Sequence, residues 1–168
     1  MLLIILIVLI IIIYVLSYTK VDSSYEIIQV FLRNCTPDIF KEKHPIVISD
    51  QLPDIKSLLT TLFAYLYCFS YSELSLSTNT QINKSKFLLL QNKNLDTLAI
   101  NLISPKFADH KDISTVKLVT VKLKQNQVIL LPVKWMYQCD STVLKVSLDD
   151  PISKIISFCI RNPLIGTV

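Results

Sequence analysis

Glycine is almost missing from this chain. A single glycine, Gly166, stands in 168 residues. A dinucleotide-binding fingerprint, a phosphate-cradling P-loop, a kinase-type glycine loop and a G-x-S-x-G nucleophile elbow all bring backbone where a Cβ obstructs, so none of them is present. Tight turns have to use Asn, Asp and Ser instead, as in Gln91-Asn92-Lys93-Asn94, Lys124-Gln125-Asn126-Gln127 and Cys139-Asp140-Ser141. Histidine is nearly as scarce, with only His44 and His110. That leaves few ways to build a Ser-His-Asp or Cys-His constellation, and no local signature marks one. The four cysteines, Cys35, Cys68, Cys139 and Cys159, are widely spaced with no C-x-x-C pair, which suits reduced thiols better than a disulfide framework or a zinc site. The net charge of +4 comes from lysines and arginines scattered among acids. The pairs Lys41/Lys43, Lys84/Lys86 and Lys122/Lys124 read as solvated strand faces, so nucleic acid is not an expected partner.

What the chain does have is a long apolar start. Residues 1–16, MLLIILIVLIIIIYVL, carry no charge, proline or glycine, and Ser17, Tyr18 and Thr19 extend the run to Lys20. At about 1.5 Å per residue this approaches the ~30 Å hydrocarbon core of a bilayer. Tyr14 and Tyr18, one helical turn apart, sit where aromatic rings favour headgroups. No basic segment precedes the run and no small-residue cleavage site follows it, which argues against a signal peptide. The expectation is a single-pass transmembrane helix over residues 1–19, membrane localisation and a domain facing the cytosol. The triplets Asn34-Cys35-Thr36 and Asn83-Lys84-Ser85 are read as chance glycosylation motifs.

Behind the anchor, a connector over residues 20–44 holds a helix at 24–33 (SYEIIQVFLR), with Ile27, Ile28 and Phe31 at helical spacing. A short extended run follows at 45–48. Pro53-Asp54 opens the clearest amphipathic helix, with Ile55, Leu58, Leu59, Leu62, Phe63 and Leu66 on one face. The period then changes to two. Phe63, Tyr65, Tyr67, Phe69 and Tyr71 alternate, so helix gives way to strand near Tyr67. Short strands are expected at 86–91, 97–103, 115–124, 127–131 and 143–148, with Asp149-Asp150-Pro151 capping a closing helix. The fold class is therefore mainly β with flanking helices, α+β, as an antiparallel sandwich or barrel occupying residues 45–168.

The stretch QVILLPVKWMY, residues 127–137, followed by a polar turn and the strand at 143–148, resembles the second half of a cupin or Jumonji-C-like domain. In that family a strand ends in proline, and a tryptophan and then a histidine follow. The opening Lys43-His44-Pro45-Ile46-Val47-Ile48 is similar to the start of cupin-like members. The resemblance implies a jelly-roll barrel and, in active members, iron held by two histidines and a carboxylate. His110-Lys111-Asp112 has the H-x-D form of the first two ligands, but Tyr137 stands at the third position. No metal, cofactor or catalytic residue is assigned, and H-x-D reads as a polar turn. Tyr137→His is expected to be tolerated.

Two functions stay open. The first is a membrane-anchored, non-enzymatic structural or interaction protein with a protein partner near the bilayer and no small-molecule substrate; its Ile/Lys/Asn-rich composition fits a host or virion membrane component of a large DNA virus. The second is a divergent Fe(II)/2-oxoglutarate oxygenase built on His110 and Asp112. The candidate interaction surface is Tyr65, Tyr67, Tyr71 and Trp135, with core packing as the plainer reading of each.

Overall fold

The computed structural model describes residues 1–20, 26–63, 68–74, 77–107 and 118–161. The chain runs α1 (Leu2–Thr19), β1 (Ile28–Val30), two 3-10 turns (Leu32–Asn34 and Pro37–Lys41), β2 (Ile46–Ile48), α2 (Ile55–Phe63), β3 (Cys68–Leu74), β4 (Ser77–Ile82), β5 (Phe87–Gln91) and β6 (Leu98–Ile103). After a 3-10 turn at Pro105–Phe107 it continues with β7 (Val119–Leu123), β8 (Val128–Pro132), β9 (Met136–Cys139), β10 (Val143–Asp149) and α3 (Pro151–Arg161). The strands form a six-stranded sheet, β1-β2-β8-β5-β10-β3, and a four-stranded sheet, β4-β9-β6-β7. Neighbouring strands are antiparallel except β1 and β2, which are parallel. Among the described residues the molecule is mainly β with three helices, the β-rich body that the strand periodicity predicts.

The central strands explain why FLLLQ and VILLP show no polar alternation. Both are buried at every position because both faces of the six-stranded sheet are covered. Phe87, Leu89, Val128, Leu130, Val146 and Leu148 pack against Ile55, Leu58, Leu59 and Phe63 of α2. Leu88, Leu90, Ile129, Leu131 and Val143 pack the other way, onto Leu98, Ile100, Leu102, Leu123, Tyr137 and Cys139. The result is three layers: helix, six-stranded sheet, four-stranded sheet. Each fully buried aliphatic side chain contributes about 1.5–3 kcal/mol over its exposed state. The helix starts are fixed locally. Asp54 Oδ1 accepts the Lys56 amide at 2.9 Å ahead of α2. At α3, Asp150 and Ser153 cap one another: the Ser153 amide donates to Asp150 Oδ1 at 2.7 Å and the Asp150 amide to Ser153 Oγ at 2.8 Å.

In the described part of the helix expected at 24–33, residues 26–33, the chain instead forms β1 and the start of a 3-10 turn. Ile28 and Val30, two residues apart, both pack on the α2-side core, and β2 provides backbone partners. The Ile28 amide donates to Pro45 O at 2.9 Å and the Ser49 amide to Val30 O at 2.8 Å. Sheet pairing overrides the helical spacing of Ile27, Ile28 and Phe31.

The transmembrane expectation is corrected as well. No helix among the described residues is long and apolar enough to cross a membrane. α1 has 18 residues, about 27 Å, and its polar end is not available for a span because it is docked on the body. Tyr18 is 5% exposed and Tyr14 is half-buried. What projects clear is the stretch from Leu3 to Ile13, an apolar segment too short for a ~30 Å hydrocarbon core. The single-pass anchor and the membrane localisation built on it do not hold.

Candidate functional site

The base of α1 is where distant parts of the chain converge. The Tyr14 hydroxyl donates to Asp150 Oδ2, and Lys86 Nζ reaches the same oxygen at 2.8 Å while standing 5.5 Å from the Tyr14 ring centroid. Tyr18 stacks on Tyr14 at 6.5 Å and donates its hydroxyl to Lys84 O at 3.2 Å. Lys43 Nζ donates to Ser17 O and, at 2.6 Å, to Lys20 O. An ammonium on the last carbonyls of a helix satisfies acceptors left without intrahelical partners and complements the negative end of the dipole. Lys43 holds φ 56, a left-handed backbone that aims the chain into this contact where other folds would use glycine.

The electrostatics follow from this packing. Burial pushes the Tyr14 hydroxyl up to about 12, and its bond to Asp150 adds to the shift. Burial would raise the Asp150 carboxyl, but hydrogen bonds from Lys86, Ser153 and Tyr14 outweigh it and hold the group below the ordinary carboxylate range. Lys43 is lowered, first by burial and then by Lys134, Lys20 and Lys86.

Beside this knot lies a cleft of about 920 Å³, adjoining a smaller cavity of about 100 Å³; Ser17, Phe40, Lys43, Lys86 and Phe87 line both. The larger cleft is also lined by Arg33, Lys41, Asp50 and Phe63. Phe40, Phe63 and Phe87 are in mutual contact, with ring centroids 5.3, 5.7 and 6.3 Å apart. Asp50 faces inward to its own backbone partner, its Oδ2 accepting the Leu32 amide at 2.6 Å.

The residues singled out from the sequence are placed differently. His110, Asp112, Tyr65 and Tyr67 lie outside the described residues. Tyr71 stands on β3 opposite Val146 of β10. Trp135 is 2% exposed within the core between the two sheets, so it presents no surface. Tyr137 is also 2% exposed and donates its hydroxyl to Gln81 Oε1 at 2.7 Å; burial, with a smaller contribution from Cys139, pushes its pKa up. That packing changes the expected outcome of Tyr137→His from tolerance to a loss of stability. Among the described residues no group of three or more His, Cys, Asp or Glu is placed to hold a metal ion. Cys139 is buried and free, its thiol pushed up to about 12 mainly by burial, and burial also raises Cys35. Thiols so shifted carry little thiolate at neutral pH and make poor nucleophiles.

Sequence reasoning missed Lys43, Lys86 and Asp150 as one cluster. The lysine pairs were visible only as strand faces, Asp150 only as a helix cap, and Tyr14 and Tyr18 only as headgroup aromatics. Compared with known proteins, the chain matches no family model, no curated protein and no solved structure. The membrane half of the viral-membrane reading falls with the anchor, and neither the fold nor these comparisons bear on a viral origin.

Proposed function

We propose that this is a non-enzymatic interaction protein whose β body holds α1 out as an apolar docking element for a partner protein. The observation that carries the reading is the contrast along α1. Leu3 through Ile13 are eleven consecutive aliphatic residues, each 43–68% exposed, so little beyond their own helix covers them. The following turn is fixed to the body by Tyr14, Tyr18 and the Lys43 cap. Monomeric proteins rarely leave an apolar surface of this extent to water.

Apolar residues occupy every side of the segment, so a flat surface would cover only part of it. A partner groove or a bundle of partner helices encloses such an element, which is the helix-in-groove mode of recognition. Fixing the helix at its base reduces the ordering entropy lost on binding.

Ile7→Glu with Ile11→Glu tests this. Both side chains are exposed, so the body keeps its fold and its thermal midpoint, while two charges on one helical face abolish burial in an apolar groove. Affinity purification from the native source after proximity labelling is expected to recover one dominant protein with the natural sequence and to lose it with the double variant. Recovery of the same neighbours by both would contradict the proposal.

A further inference from the structure

We propose that the cleft at the foot of α1 binds a single-chain amphiphile with an anionic head, carboxylate or phosphate monoester, its chain lying along the phenylalanine wall and its head at the basic rim. This is independent of the partner that covers α1. The cleft volume, about 920 Å³, is in the range of ligand sites, which are commonly about 300–1,000 Å³, and apolar walls with a few placed polar groups are their usual construction. Phe40, Phe63 and Phe87 form one contiguous aromatic cluster there, drawn from the 3-10 turn before β2, from α2 and from β5.

The rim is cationic on independent grounds. Arg33 and Lys41 are both exposed on the cleft, Lys43 stands beside them, and Asp50 is the acid that lines it. The charged neighbours that shift Lys43 are Lys134, Lys20 and Lys86, all of one sign. The cleft lining carries Arg33, Lys41, Lys43 and Lys86 against Asp50, so a carboxylate or phosphate entering here meets net positive charge even with Asp38 on Lys41 and Asp150 on Lys86, and its bonds to Arg33 and Lys41 are charge-assisted. Lys41 already pairs with Asp38 at 2.6 Å, but both side chains are more than three-quarters exposed, so that pair is weak enough to exchange for a ligand.

The test is displacement of fluorescent cis-parinaric acid from the full chain held in a neutral detergent below its micellar concentration. Oleate and oleoyl lysophosphatidate are the anionic competitors; the tighter of the two distinguishes a free fatty acid from a phospholipid-derived ligand. Dodecylamine and inorganic phosphate are the controls for charge and for the head alone. The expected result is one saturable site displaced by both anionic amphiphiles and by neither control. Because α1 attracts any apolar chain, two variants separate the sites: Arg33→Glu with Lys41→Glu, which inverts the rim, and Thr61→Trp, which fills the cleft from the exposed side of α2. Each is expected to weaken oleate at least tenfold without moving the thermal midpoint. Unchanged affinity in both variants, or displacement by dodecylamine or phosphate as effective as by oleate, would overturn the proposal.

Discussion

The Tyr14 hydroxyl donates to the Asp150 carboxylate, joining residues 136 positions apart and fixing the first helix of the chain to the cap of the last. The same carboxylate takes Lys86 Nζ and caps α3 through Ser153, so one side chain ties together three elements. A double-mutant cycle on Tyr14→Phe and Asp150→Asn isolates the bond, because asparagine still caps α3 while losing the charge. The expected coupling in chemical denaturation is about 1–3 kcal/mol, as for a hydrogen bond to a charged group. Additive single effects would mean that α1 is not held by this pair.

The pH dependence has a definite sign at both ends. Asp150 titrates below its ordinary value when folded, so its contribution is complete above the usual carboxylate pKa of about 4 and is lost as pH falls through the lower folded value. Tyr14 titrates above its ordinary 10.0, at about 12, so its contribution is present below pH 10 and is lost as pH rises from there toward 12. Denaturant midpoints across pH are expected to fall at both extremes. Asp150→Asn flattens part of the acid limb, and Tyr14→Phe reduces the alkaline loss without abolishing it, since Tyr137 is raised in the same direction. An acid limb unchanged in Asp150→Asn would contradict this assignment.

Asn83 fastens the corner between β8 and β9. Its Nδ2 donates to Leu131 O and Pro132 O, both at 2.9 Å, and its Oδ1 accepts the Ser85 amide at 2.9 Å. Asn83→Ala orphans these buried groups and is expected to cost about 2–5 kcal/mol, at roughly 1–3 kcal/mol for each group left unsatisfied. An Asn83→Ala variant that denatures at the same midpoint as the natural chain would contradict this role.

Ile129 and Tyr137 both belong to the core between the sheets. Ile129→Asp is expected to yield no folded protein, since it buries an unpaired charge. Tyr137→Phe loses only the bond to Gln81, about 0.5–1.5 kcal/mol, whereas Tyr137→His also leaves a gap and costs roughly 1–3 kcal/mol. Thermal midpoints in the order natural, Phe, His check this; a histidine variant as stable as the natural chain would restore the cupin-like reading of this position.

Much of the fold was legible because burial on both faces leaves a mark. FLLLQ and VILLP are uninterrupted apolar runs, LAINLI and VLKVSLD carry readable patterns, and Pro53-Asp54 and Asp150-Pro151 announce their helices. β4 was not legible, because STNTQI has no apolar alternation and is a strand only through its pairing with β9. β1 was misread because its partner strand, remote in sequence, decides its conformation. The site was hidden for the same reason: Tyr14, Lys43, Lys86 and Asp150 are individually ordinary and acquire meaning only when α1 folds back onto β5 and the start of α3. The apolar length of α1 was plain, but its loss of a turn to docking was not.

The central claim is that α1 projects an apolar surface which a partner protein covers. A photo-crosslinking residue placed at Ile7, in the full chain expressed in its native setting, reads that contact directly. The expected result is an adduct to one partner protein in high yield, lost when Ile11→Glu is added, with no adduct to the β body of the same chain. Adducts to lipid alone, or to residues of its own body, would contradict it.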